Sequence, residues 1–368
     1  MTVETSAPQV PRLVSPAEAE EAWGVLDQGF ARASSIQAEV VEPFAWRIGG
    51  RAVHQNAVGR DLAERTRMAF AHLRADDPGA HRPALTIDVW DGEATGVSLP
   101  RGTILDAIPG WHEGGGISTI SSDSRYYVHA LFESRAILDR KACRILCWTA
   151  SSRRLSLYER GKPHRVLLSV WLHDRGIQLV HAALVASRGR GLILPGRGGA
   201  GKSTSALACL LAGFEYLGDD YIGLEPNADG TFTGHSLYDS TWLDPEHLLR
   251  FPSLVPHAIA GVISWERKRL VHLSTLFRGR LAPCAPIRVL ALPRVAGGTT
   301  RTRPASRAEA LLAAAPTSVF ELTPRVGASG VQRLAALVSR LPAYRLELGA
   351  DLSEIPRRLE ALLDESGA

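Results

Sequence analysis

The chain has 368 residues, enough for about two domains, and its 45% hydrophobic and 22% charged residues exclude disordered, fibrous and collagen-like classes. A formal net charge of +4, with basic residues scattered among acidic ones, supplies neither the stripe nor the tail that would suit nucleic acid. Cys143, Cys147, Cys209 and Cys284 are too few and too irregularly spaced for a disulfide framework or a zinc site, and fit free thiols in a reducing compartment.

Residues 1–15 are rich in Thr, Ser, Pro and Val without periodicity and read as a mobile leader. They lack the apolar core of a signal peptide, and no run of about 18 apolar residues follows, so a cytoplasmic protein without a membrane partner is expected.

A helix is predicted from Pro16 to Arg32, with Ser15 as cap and Ala22, Trp23, Leu26 and Phe30 on one face. Short strands follow at 36–41, 44–48 and 52–58, the last two joined at Gly49-Gly50. Next come a helix carrying Leu62 to Leu73 and a strand at 85–90. The stretch 93–122, with glycines at 114–116, imitates a phosphate-binding loop; it lacks Gly-Lys-Ser and a preceding apolar strand, and so reads as a surface loop. Strands at 126–132, 136–138, 144–148 and 155–158 complete an N-terminal α+β domain over 16–160, in which no chemistry is identifiable.

From 161 to 368 a helix at 163–173 leads into apolar runs at 177–186 and 191–194. Strand-like runs at 214–217, 221–224, 287–292 and 344–348 then alternate with helical ones, the pattern of an α/β layer structure. Within it, Gly196-Arg197-Gly198-Gly199-Ala200-Gly201-Lys202-Ser203 satisfies G-x-x-x-x-G-K-[ST] at every position, between a strand and a helix. Glycines let backbone N–H groups wrap a phosphate, the helix N-terminus adds its dipole, Lys202 a point charge and Ser203 a Mg²⁺ ligand, with Thr204 next in the nucleotide site. The predicted ligands are therefore ATP and Mg²⁺.

Asp219 stands seventeen residues after Lys202, and Asp219-Asp220 close an apolar strand expected beside the loop's own strand. One carboxylate there suits Mg²⁺ and the other suits proton removal from an attacking hydroxyl; the plain alternative is an acidic turn that opens a strand. Arg267, Lys268 and Arg269, after Trp265-Glu266, are candidates to stabilise a transferring phosphoryl group or else a solvated turn, and Asp239 and Asp244 are weaker candidates for a further metal ligand.

Taken together, the segment from Val180-His181 through the Gly-rich loop to Asp219-Asp220 resembles the HPr serine kinase/phosphorylase family, whose nucleotide site is similar to that of phosphoenolpyruvate carboxykinase. The resemblance includes a histidine twenty-one residues before the lysine. It implies a P-loop kinase core of the HPr kinase type, with Lys202 on the phosphates, Ser203 and Asp220 on Mg²⁺, Asp219 as general base and His181 near the transferring phosphate. The family's Glu-Ile-Arg-Gly signature is absent; the corresponding region reads Gly234-His235-Ser236-Leu237-Tyr238-Asp239-Ser240-Thr241, which argues against HPr itself as acceptor. The long first half looks like HPr-kinase-like proteins of bacterial peptide-modification pathways, among them kinases of lasso-peptide precursors.

The expected activity is transfer of the γ-phosphoryl group of ATP to a Ser or Thr hydroxyl of a protein or peptide. A small-molecule hydroxyl kinase and a non-catalytic ATP-binding regulator are the alternatives, and self-association and reverse phosphorylase activity stay open.

Overall fold

The computed structural model describes residues 13–75, 82–99, 103–107, 116–263, 266–316, 318 and 327–366. Residues 1–12 of the expected leader, Gly114, Gly115 and Trp265 lie outside the described residues. The chain is mixed α/β and divides into two compact units, one of residues 1–44, 53–64 and 83–154, the other of residues 45–52, 65–82 and 155–368. Among the described residues no helix is long and apolar enough to cross a membrane.

Most of the first unit is a sheet built from β1 (Leu13–Val14), β2 (Val40–Ile48), β3 (Arg51–Val58), β4 (Leu85–Asp91), β5 (Ile117–Ser121), β6 (Tyr126–Leu131), β7 (Ser134–Asp139) and β8 (Arg144–Thr149). Their order is β1-β5-β6-β7-β8-β4-β3-β2, with β3, β4 and β8 mutually parallel and β5 to β8 an antiparallel meander. Helix α1 (Pro16–Ser34) starts at a capping box between Ser15 and Glu18 and buries Ala19, Ala22, Leu26, Gly29 and Ala33, a spacing that keeps one face on the sheet. Gly29 is small because Trp90 lies against it: a Cβ there would stand 2.7 Å from the indole.

Three expectations change in this half. Residues 37–39 form a 3₁₀ turn, and a single strand begins only at Val40. The helix expected to reach Leu73 is α2 (Arg60–Arg67), which tightens into a 3₁₀ turn at Met68–Leu73. The stretch read as a surface loop holds α3 (Gly92–Thr95), α4 (Ile104–Ala107) and β5; Asp91 caps α3 by accepting from the N–H groups of Glu93 and Ala94.

From residue 155 onward the second unit holds first α5 (Leu157–Gly161) and α6 (Arg165–His173). A strand at 155–158 is thus not formed: Ser156 Oγ accepts from Glu159 N at 3.1 Å while the Glu159 carboxylate accepts from Ser156 N at 3.0 Å, a capping box that starts a helix. There follow β9 (Gln178–Val180), β10 (Ala182–Ser187), β11 (Arg190–Pro195), α7 (Lys202–Leu211), β12 (Glu215–Gly218), β13 (Ile222–Pro226), β14 (Phe232–His235), β15 (Ser240–Leu243) and α8 (Pro245–Leu248). The chain continues through β16 (Ile259–Ala260), β17 (Arg269–His272), β18 (Cys284–Val295), β19 (Arg301–Pro304), α9 (Arg307–Ala315), α10 (Gly327–Arg340), β20 (Ala343–Leu348) and α11 (Glu354–Ser366).

The main sheet runs β12-β10-β11-β18-β14-β13-β9, with β20 parallel to β18, while β15, β17 and β16 make a small antiparallel sheet. Strands β9, β10 and β11 are buried on both faces, which is why they read as continuous apolar runs. On β10, Ala183 and Val185 join a core with α7 and α11, whereas Ala182, Leu184 and Ala186 join the opposite core with α9 and α10. Each fully buried Leu or Val contributes about 1.5–3 kcal/mol relative to exposure, so the two cores fix the strands that carry the site.

The apolar run 177–186 holds two strands, β9, paired with β13, and, after His181, β10, paired with β11 and β12. One sequence expectation fails here. The strand that ends at the acidic pair is not beside the loop's own strand, because β10 lies between β12 and β11. Only His181 separates β9 from β10, and only residues 219–221 separate β12 from β13, so strands far apart in that order lie close in space, and these two short joints hold His181 and Asp219-Asp220.

Candidate active site

The loop 196–201 leaves β11 and enters α7. Gly201 is the helix N-cap with φ +103°, a conformation costly for any side chain, and a Cβ there would stand 2.2 Å from Leu348 Cδ1. Glycine is therefore required at that position by both backbone and packing. Lys202 is buried and its Nζ donates to the carbonyls of Gly196 at 2.8 Å and Arg197 at 3.2 Å, so the ammonium lies curled inside the loop.

The loop forms one wall of a cleft of about 300 Å³, which is lined by Gly198, Gly199, Gly201, Lys202, Ser203 and Thr204. His181, Asp219 and Asp220 line it too, as do Trp242, Asp244, His247, Arg250 and Lys268, while Val295, Leu348, Gly349 and Ile355 supply an apolar side. His181, Lys202, Ser203, Thr204, Asp219 and Asp220 are thus brought to one cleft. Gly196, Arg197 and Ala200 belong to the loop without being among the residues that line it, and Asp239 is fully buried elsewhere, bonded to His272 Nδ1 at 2.8 Å.

Asp219 is 3% exposed, and its Oδ2 accepts from Thr241 Oγ1 at 2.5 Å; Ser203 also hydrogen-bonds to it. Burial raises its pKa above the ordinary carboxylate value, a shift that the Thr241 bond, Lys162, Ser203 and Lys202 oppose only in part. A carboxylate with raised proton affinity, facing a cleft, has the character of a general base.

Asp220 makes a different set of contacts. Its Oδ1 lies 2.7 Å from His181 Nε2, and its Oδ2 takes a short bond from Lys162 Nζ. Burial, then the charges of Lys202, Lys162, Arg165 and Lys268, depress the His181 pKa to about 3. The Asp220 contact alone would favour the imidazolium, but burial together with the neighbouring cations outweighs it, so His181 is neutral near pH 7 and its Nε2–H donates to Asp220. His181 Nδ1 is buried with no hydrogen-bond partner among the described residues.

Lys162 is the residue that the sequence did not single out. It sits just past α5, 4% exposed, with Nζ 4.3 Å from the ring centre of Trp242, 4.7 Å from that of Tyr221 and 5.7 Å from that of Tyr158. Burial pushes its pKa well below the ordinary lysine value, Asp219 pulling the other way. Arg165 is stacked close by, 5.0 Å from Tyr221 and 5.2 Å from Tyr158. Aromatic faces and a carboxylate are what a buried ammonium requires. No spacing in the sequence announces this cage, which α5, β15 and the β12–β13 joint assemble.

Among the described residues no group of three or more His, Cys, Asp or Glu converges as a metal cage. Mg²⁺ does not require one, since it is commonly held by one or two carboxylates together with phosphate oxygens and water. The residues present offer such an ion the Ser203 hydroxyl at the start of α7 and the Asp220 carboxylate, whose Oδ1 and Oδ2 are engaged by His181 and Lys162, so that an ion held by Asp220 would share it with the Lys162 ammonium or displace it. Among the residues that line the cleft, Lys202, Arg250 and Lys268 balance Asp219, Asp220 and Asp244, and the charges of Lys162 and Arg165 act on His181 from outside that lining. No protein-family model matches the chain, and no curated protein matches it.

Proposed function

We propose that the protein is a cytoplasmic kinase that binds ATP with Mg²⁺ and transfers the γ-phosphoryl group to a Ser or Thr hydroxyl of a protein or peptide. The observation that carries this reading is the Gly-rich loop and its curled lysine sharing one cleft with a buried carboxylate of raised proton affinity. The resemblance to the HPr serine kinase/phosphorylase family supports a P-loop core of that type, with ribosomal peptide precursors as one acceptor class.

In this mechanism the N–H groups of the loop and the first turn of α7 surround the phosphates, and Lys202 leaves the carbonyls of Gly196 and Arg197 to contact them. Asp220 and Ser203 would hold Mg²⁺, which when bound supplies neutralisation of charge on the phosphate oxygens. Asp219 takes the proton of the acceptor hydroxyl as its oxygen bonds to the γ-phosphorus. The bond from that phosphorus to the β–γ bridging oxygen breaks, and ADP leaves. Thr241 holds Asp219 in place through the 2.5 Å bond, and His181 holds Asp220. Positioning and electrostatics supply most of the rate in this chemistry.

The test is transfer from γ-labelled ATP, with Mg²⁺, to a panel of HPr, peptides encoded by neighbouring genes and small hydroxylated metabolites, with Asp219→Ala as control. Label on a peptide or protein that is lost in the control is the expected result. ATP binding with no Asp219-dependent transfer to any acceptor would overturn the kinase reading in favour of a nucleotide-binding regulator.

A further inference from the structure

The wall of the cleft opposite the loop carries a contact that the proposed chemistry does not use. Thr204, the residue after Ser203 on the first turn of α7, has its Oγ1 2.7 Å from His247 Nε2. His247 lies on α8, half-buried, with its ring 6.1 Å from that of Phe251. Arg250, two residues past α8, donates from Nη2 to Ala350 O at 3.1 Å, tying the same segment to the apolar side of the cleft next to Gly349.

These residues stand apart from the reacting groups. Lys202 and Ser203 mark where the terminal phosphates would lie, and Asp219, Asp220 and His181 gather where transfer would occur. Thr204 follows on the helix, and the N–H groups of that first turn have no partners within the helix. A hydroxyl there, held by an imidazole with a guanidinium nearby, suits the phosphate on the nucleoside side of the chain.

We propose that His247 is a nucleotide-positioning residue, which orients the Thr204 hydroxyl and, with Arg250, receives the α-phosphate end of a nucleoside di- or triphosphate. This inference rests on the reading of the cleft as an ATP site and adds the part that holds the nucleotide independently of its γ-phosphate. A neutral imidazole suits the task, because it fixes the threonine hydroxyl without competing for the phosphate. Burial and the charges of Arg250 and Lys268 lower the His247 pKa, with Asp244 opposing, which keeps the ring neutral near pH 7.

The experiment is calorimetric titration of the full chain with ADP and with ATP, in Mg²⁺, for the unaltered protein and for His247→Ala, His247→Gln, Thr204→Ala and the His247→Ala/Thr204→Ala pair. Expected is a loss of about tenfold in affinity for His247→Ala, equal for ADP and ATP. Lys202→Ala, by contrast, should lose more for ATP than for ADP. His247→Gln, whose amide can reach the same hydroxyl, should recover most of the loss, and the double variant should lose no more than either single one. An unchanged Kd in a folded His247→Ala protein, or a loss confined to ATP, overturns the inference and leaves the kinase reading standing. Failure of the unaltered protein to bind either nucleotide overturns the ATP reading itself and the inference with it.

Discussion

His181 Nε2 and Asp220 Oδ1 lie 2.7 Å apart, although one residue interrupts an apolar run and the other follows a different strand. They meet because each lies in a short joint between the same two groups of strands, His181 between β9 and β10 and Asp220 between β12 and β13. The sheet's topology, rather than any local motif, thus pairs the imidazole with the carboxylate, and substitution of either should disturb the other.

Lys202→Ala should reduce phosphoryl transfer by at least about a hundredfold, since it removes the one loop side chain placed to neutralise phosphate charge. The native ammonium donates to the loop carbonyls of Gly196 and Arg197, which the loop's own backbone holds in place, so thermal stability should change little. Steady-state kinetics beside a melting curve separate the two effects. A large fall in Tm without loss of transfer would assign Lys202 to structure.

Asp219→Asn should lower kcat by about 10²–10⁴ while ATP affinity stays within a few-fold of the unaltered protein, as expected when a base is removed and the binding site kept. Asp220→Asn should instead raise the Mg²⁺ concentration needed for half-maximal nucleotide binding. Mg²⁺ titrations of both variants, followed by calorimetry, show whether the two adjacent carboxylates divide the work in this way.

The raised pKa of Asp219 fixes a direction for the pH dependence. A base acts only when deprotonated, so kcat/KM should rise with pH on its acid limb, and that limb should stand above the usual aspartate value near 3.8. Replacing Thr241 by Val removes a bond that favours the charged carboxylate and should move the limb to still higher pH. A limb that moves to lower pH in Thr241→Val would contradict the assignment.

Burial holds both His72 and His164 near a pKa of about 4, against 6.5 for a free imidazole. Their pKa values are depressed in the folded state, so between pH 4 and 6.5 the unfolded chain binds more protons and stability must fall as the solution is acidified. At pH 5 each costs the fold about 2 kcal/mol relative to neutral pH. Urea unfolding at pH 7 and pH 5 should show the loss, and His164→Asn should reduce its slope.

Lys162→Met should cost about 2–4 kcal/mol, because it leaves Asp220 without its counter-charge beside a second carboxylate. Lys162→Arg should fail to restore the protein, since a planar fork cannot occupy a cage shaped by Tyr158, Tyr221 and Trp242 around a compact ammonium. Chemical denaturation of the two variants decides the point.

How much of this was legible in the sequence depends on how local the determinant is. The loop, its lysine and the acidic pair are short patterns readable in the residues themselves, and the fold brings them to one cleft. Residues 155–158 were misread because Leu155 and Leu157 alternate like a strand, while the stronger signal, Ser156 followed by Glu159, is a capping box. The break at His181 was hidden because β9 and β10 are both buried on two faces, so apolar character runs through it. Lys162, Thr241 and His247 carry no motif; each is recruited by a fold that brings segments from 158 to 268 around the loop.

Gly201 meets Leu348, at the end of the last strand, within the distance that a methyl group would need. A chain that stopped before β20 would retain every residue of the glycine-rich motif and lose the surface against which its last turn is moulded. The loop is written near the middle of the chain, but its shape is completed only when the final strand is in place. During synthesis, therefore, nucleotide affinity should emerge late, after β20 has left the ribosome and paired with β18.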